Sequence, residues 1–118
     1  MEKKECTSYL LPVRDTMEII GGKWKIAIIL YLSHGNRRFK EMEREIGITG
    51  KMLSKELKEL EINELVKRTV YDTSPVTIEY SITPYGKTLE KLLNEIRDWG
   101  VKHRKRIITK SKVLQPAE

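Results

Sequence analysis

The 118-residue chain predicts an α+β, mainly α domain, and three observations carry that prediction. Two short apolar-periodic segments meet at Gly47-Ile48-Thr49, the joint of a helix-turn-helix unit. The hydrophobic period then changes from about 3.6 to 2 at Leu65 and returns to 3.6 at Pro84. Between those changes lies a hairpin, and after them one long amphipathic helix.

Residues 1–14 keep no steady period, and Pro12 discourages an early helix, so they read as an N-terminal arm. Asp15 then caps a short helix, Thr16 to Ile20, ended by Gly21-Gly22. Lys23 to Ser33 form a second helix with Trp24, Ile28, Tyr31 and Leu32 on one face. Its run Ile26 to Leu32 is apolar nearly all round, which places it centrally. His34-Gly35-Asn36 is turn chemistry. A third helix, Lys40 to Ile46, stops at Gly47, a good left-handed terminator. Thr49 caps the next helix, Gly50 to Glu61, which presents Leu53, Leu57 and Leu60 at i, i+4 and i+7. Val66 to Asp72 and Val76 to Ile82 are the hairpin strands, joined by Thr73-Ser74-Pro75. Thr83-Pro84 opens the last helix, 84–104, as cap and first-turn proline. These elements define a winged helix-turn-helix domain over residues 15–106, with a two-stranded wing and a long C-terminal dimerisation helix. Residues 107–118 read as a basic, flexible tail.

Composition narrows the function. The formal net charge of +6 is carried entirely by residues 97–112, where seven Lys/Arg stand against the single acid Asp98. Overall charge is therefore permissive and not decisive. One cysteine and two histidines at no ligand spacing imply no metal and no internal disulfide. No apolar run approaches the ~20 residues of a membrane span, so the expectation is a soluble, cytoplasmic protein with no membrane partner. Gly21-Gly22-Lys23 lacks the spacing of a phosphate-binding loop, neither histidine has a partner base, and no cofactor is implied. We expect no catalytic residues and no enzyme.

The chemistry lies in the helix after Thr49. Turning about 100° per residue from Leu53, Leu57 and Leu60 fall within about 40° of it, whereas Lys51, Lys55 and Lys58 fall on the opposite side and Ser54 beside them. In a helix-turn-helix protein that opposite side enters the major groove of double-stranded DNA. Arg37, Arg38 and Lys40, just before the motif, are placed to meet the phosphate backbone, or are a solvated turn. Lys67 and Arg68, at the base of the wing, either meet phosphates or only solubilise an edge strand. The wing tip, residues 73–77, has no Lys or Arg. Its contacts would come from hydroxyls such as that of Thr77 and from backbone N–H groups. The stripe Leu89, Leu92, Leu93, Ile96 and Trp99 is too long for one small core, so a second copy is its natural cover and a homodimer is expected. The alternative is a winged-helix module that binds protein and no DNA.

Ile19-Ile20-Gly21-Gly22-Lys23-Trp24, Arg38-Phe39-Lys40-Glu41-Met42, Ile48-Thr49-Gly50-Lys51-Met52-Leu53, Leu57-Lys58-Glu59-Leu60-Glu61 and Val76 to Gly86 together resemble the HxlR family of winged-helix regulators over residues 6–104. The resemblance implies a homodimer joined through terminal helices that acts on an operator. It adds Thr49, Gly50 and Thr77 to the DNA-facing positions, with two departures: Gly50 replaces a larger polar residue and Thr77 a basic wing residue. It also implies a redox- or electrophile-sensing role for Cys6, which stands where several members carry a sensing cysteine. Lys3, Lys4 and Arg14 are the nearby cations that would favour its thiolate; the other reading of Cys6 is a small buried hydrophobe.

Overall fold

Pro12 lacks the N–H that a helix interior uses and costs ~3 kcal/mol there, yet the first helix, α1, runs unbroken from Lys3 to Ile20. The computed structural model describes residues 3–114, and the side chains of residues 7–111. Within it the expected arm is corrected to helix. The proline removes one bond from one turn, whereas the turns on either side carry no glycine, and the Thr16 hydroxyl donates to the Pro12 carbonyl at 2.8 Å. Asp15 is thus inside a helix and not its cap.

Helix α2 spans Lys25–Ser33, with Trp24 just before it. Ile28, Ile29 and Leu32 are buried, as a central helix requires, while Trp24 and Tyr31 of the expected face are only half-covered. A two-residue strand, β1 (Arg37–Arg38), leads into α3 (Phe39–Met42). The chain continues as a π-helical turn, Glu43–Gly47. The end at Gly47 is as the sequence predicts, since its φ of 75° is in the left-handed region that glycine adopts without strain. The widened last turn is not. Thr49 caps α4 (Gly50–Ile62), which is followed by β2 (Val66–Tyr71) and β3 (Thr77–Ile82).

The sheet is antiparallel, in the order β1-β3-β2. Val66 pairs with Ile82 and Tyr71 with Thr77 along the wing, while Arg37 and Arg38 pair with Tyr80 and Glu79 on the other edge of β3. The two-stranded wing is therefore present, with a third short strand added to it. Tyr80, in the central strand, is buried together with Leu65 and Val66, which continue the core formed by Ile20, Ile28, Ile29, Leu32, Met42, Ile48, Leu53, Leu57 and Leu60.

The expected single helix from residue 84 is two. Helix α5 is only Pro84–Lys87, and α6 runs Glu90–Leu114. Thr83 caps α5 as predicted, accepting from the Gly86 N–H at 2.8 Å and donating to the Glu64 carbonyl at 2.6 Å. At the break the Thr88 hydroxyl donates to the Tyr85 carbonyl at 2.6 Å, a local bond that competes with helix continuation. A Cβ on Gly86 would lie 2.3 Å from the Leu65 carbonyl oxygen, so only glycine lets α5 approach β2 so closely. The tail expected from residue 107 is corrected to helix as far as Leu114, since residues 107–114 hold no glycine or proline to end the helix that enters them. The chain divides into two units, Met1–Thr88 and Leu89–Glu118. The first holds the helix-turn-helix and wing; the second is essentially α6.

Candidate nucleic-acid interface

The α3-turn-α4 unit is built by its caps and its core. The Thr49 hydroxyl accepts from the Met52 N–H at 3.3 Å, satisfying one of the donors left open at a helix start. Leu53, Leu57 and Leu60 are buried, whereas Lys51, Ser54, Lys55 and Lys58 are exposed. The faces read from the 3.6-residue period thus stand as predicted. Among the described residues none of the three lysines takes part in an ion pair, which leaves their charges open to an anionic ligand. A Cβ on Gly50 would meet the Glu43 carboxylate at 3.1 Å, so a larger residue there must displace that side chain.

One constellation escaped the sequence reading. Lys25, on α2, is 8% exposed and Glu56, on α4, 9%. The Lys25 Nζ lies 2.6 Å from Glu56 Oε2 and 2.5 Å from Glu59 Oε2. Burial by itself would lower the Lys25 pKa, but the two carboxylates outweigh it and raise it above 10.5. The hydrogen bond from Lys25, with the attraction of its charge, lowers Glu59 below 4.5. Glu59 therefore adds stability above pH 4.5 that fades as pH falls through its lowered folded value. Lys25 adds stability below pH 10.5 that fades as pH rises through its raised one. A signal for this cluster was available: a lysine inside an otherwise apolar helix, and two glutamates three apart on the flank of the leucine face.

The remaining candidates are less uniform. Arg37 is committed within the fold, its guanidinium 5.0 Å from the Tyr31 ring centre and donating to the Asn36 carbonyl at 3.0 Å. Arg38 has an exposed side chain, while its backbone N–H donates to Glu41 at 3.2 Å. Lys40 is exposed and lies 3.7 Å from Glu43. Lys67 and Arg68 are exposed on β2, the strand beside α4. At the wing tip the Thr73 hydroxyl donates to the Pro75 carbonyl at 2.7 Å and lies 3.0 Å from the Thr77 hydroxyl, so Thr77 is partly engaged within the tip.

On α6 the apolar stripe is unevenly covered. Leu93 is 1% exposed and Leu89 half-covered, whereas Leu92 and Ile96 are exposed and Trp99 is 68% exposed, its ring stacked on His103 at 4.9 Å. Helix α1 exposes Tyr9, Leu10, Val13 and Met17 within about 100° of one another, a second apolar face, with Leu11 also exposed on another side. The Cys6 side chain lies outside the described ones.

A helix-turn-helix followed by a three-stranded wing sheet and a long terminal helix is the architecture of winged-helix transcriptional regulators, and solved structures of that class match it. The crystal structure of YtcD superposes with a TM-score of 0.74 at 41% identity, covering 79% of this chain and 96% of that one. The redox regulator HypR in its reduced form gives 0.77 at 38% identity, over 83% and 98%. The reduced form of the Bacillus subtilis regulator YodB gives 0.70 at 37% identity, over 75% and 88%. In sequence, the uncharacterized HTH-type transcriptional regulator YtcD of Bacillus subtilis is 42% identical over 108 residues, 91% of this chain and 83% of its own. Residues 19–108 match the family described as HxlR-like helix-turn-helix, and the chain belongs to that family.

Proposed function

We propose that this protein is a sequence-specific, duplex-DNA-binding transcriptional regulator that works as a cytoplasmic homodimer. The observation that carries the proposal is the division of α4: three buried leucines hold it, and three exposed lysines, none of them in an ion pair among the described residues, face away with Ser54 beside them. Such a helix can enter a major groove, with Thr49 and Gly50 at its leading end and Arg38, Lys40, Lys67, Arg68 and Thr77 at flanking phosphates. Arg37 is the weakest contributor, since its guanidinium is already occupied. No helix of the described residues is long and apolar enough to cross a membrane. A titration of random duplex at rising salt tests the reading. A steep linear fall of log K against log[salt] is expected, and a flat response would instead favour a winged-helix module that binds protein.

The homodimer is supported by the exposed apolar faces of α1 and α6, which a monomer leaves in water. Two copies would set their α4 helices roughly 34 Å apart, one turn of duplex. Ile96→Glu on α6 is expected to yield monomers in sedimentation, with the far-ultraviolet circular dichroism spectrum retained. A dimer that survives this change would place the interface elsewhere.

We also propose that Cys6 makes operator binding responsive to oxidants or electrophiles. Support comes from the neighbours: HypR is described as a redox regulator in both oxidized and reduced forms, and YodB was solved reduced and after diamide treatment. Diamide is expected to change the affinity of the unmodified protein for its operator and to leave Cys6→Ser unaffected. Equal behaviour of the two would remove Cys6 from the mechanism.

A further inference from the structure

Apolar contacts hold a helix against a core without fixing its rotation closely, because the hydrophobic effect has no direction. The leucine face of α4 is of that kind. The ion cluster beside it ties the helix at one point: one ammonium on α2 meets two carboxylates three residues apart on α4, at 2.6 and 2.5 Å. Lys25 itself starts from a rigid base, the helix whose Ile28, Ile29 and Leu32 are buried. Glu56 Oε2 is fully buried and finds no well-directed hydrogen-bond donor, so the Lys25 charge is what compensates it.

The same cluster decides the charge that α4 shows. Residues 50–62 contain three lysines and three glutamates, and phosphate would meet a neutral helix were none of the acids compensated. Lys25 meets two of the three and its single charge offsets one, which leaves α4 and its clamp one positive charge to the good. A buried ion cluster is a poor source of net stability, since apolar side chains of similar volume often do as well or better. Its value here lies in orientation and charge.

Resting on the DNA-binding reading above, we propose that Lys25 is a positioning residue for recognition: clamping Glu56 and Glu59, it sets the rotation of α4 that presents Lys51, Ser54, Lys55 and Lys58 to the groove, and its charge offsets part of the acidic charge that would oppose phosphate.

The test compares two affinities. A duplex is first selected from a random library with the unmodified full chain. Its affinity and that of a random duplex of equal length are then measured for each variant at one salt concentration. Lys25→Met is expected to lower the ratio of selected to random affinity by about tenfold, the scale of one misplaced base contact. Lys25→Arg, whose planar fork can span two carboxylates, is expected to restore the ratio to within about threefold. A purely structural role would reduce the active fraction, lowering both affinities together and leaving the ratio alone. Should Lys25→Met fail to fold, Glu59→Gln keeps the pair with Glu56, and a smaller fall in the same ratio is expected. An unchanged ratio in every folded variant overturns the proposal while the DNA-binding reading stands. Absence of salt-dependent duplex binding by the unmodified protein overturns that reading first, and the proposal with it.

Discussion

Leu57→Ala is expected to destabilise the protein by ~2–5 kcal/mol, the range for removing a buried leucine and leaving a cavity. Leu57 is 1% exposed and lies at the middle of the α4 face, with Leu53 and Leu60 on either side, so surrounding groups have little freedom to collapse into the gap. For a domain of this size each kcal/mol shifts the melting temperature by roughly 4–8 °C. A thermal melt followed by circular dichroism should therefore fall by on the order of 10–30 °C. Leu57→Met, which conserves volume, should cost less than about 1.5 kcal/mol. A loss no larger for alanine than for methionine would mean that α4 is not seated on this core.

The triple substitution Lys51→Ala, Lys55→Ala, Lys58→Ala should produce the opposite pattern, with stability kept and binding lost. All three side chains are exposed, and alanine is the strongest helix former, so the melting temperature should hold or rise slightly. Each phosphate contact contributes about 0.9 to the slope of log K against log[salt]. Loss of the three contacts should flatten that slope by between about 2 and 3, with affinity for duplex down by at least about a hundredfold at low salt. An unchanged slope would exclude α4 as the groove-facing helix, whatever the fold resembles.

Both predictions rest on what local pattern makes readable. The two faces of α4, the Thr49 and Thr83 caps, the left-handed Gly47 and the paired strands of the wing follow from period, capping and turn chemistry, all of which act over a few residues. What was not readable is set by partners far away in the chain. Strand β1 is two residues long and exists because Arg37 and Arg38 pair with Tyr80 and Glu79 in β3. Lys25 finds its carboxylates some thirty positions on, in another helix. The other differences run the other way, where a local signal was overridden or unrecognised: Pro12 did not stop α1, and Thr88 divided a helix whose apolar stripe passes through it.

The π-helical turn Glu43–Gly47 constrains how this protein can change over generations. A π turn closes its hydrogen-bonded ring one residue later than an α turn, so the segment holds one residue more than an α-helix ending at the same place would need. Deleting a residue there would restore ordinary helix but displace Gly47, and with it the entry to α4, by up to a residue's length of ~3.3–3.6 Å, leaving Ile48 and Thr49 to absorb the difference. Variation by substitution is open in this turn, since Arg44 and Glu45 are exposed. Variation by length is closed, and insertions or deletions among descendants of this chain should collect in other loops, with the wing tip the most permissive.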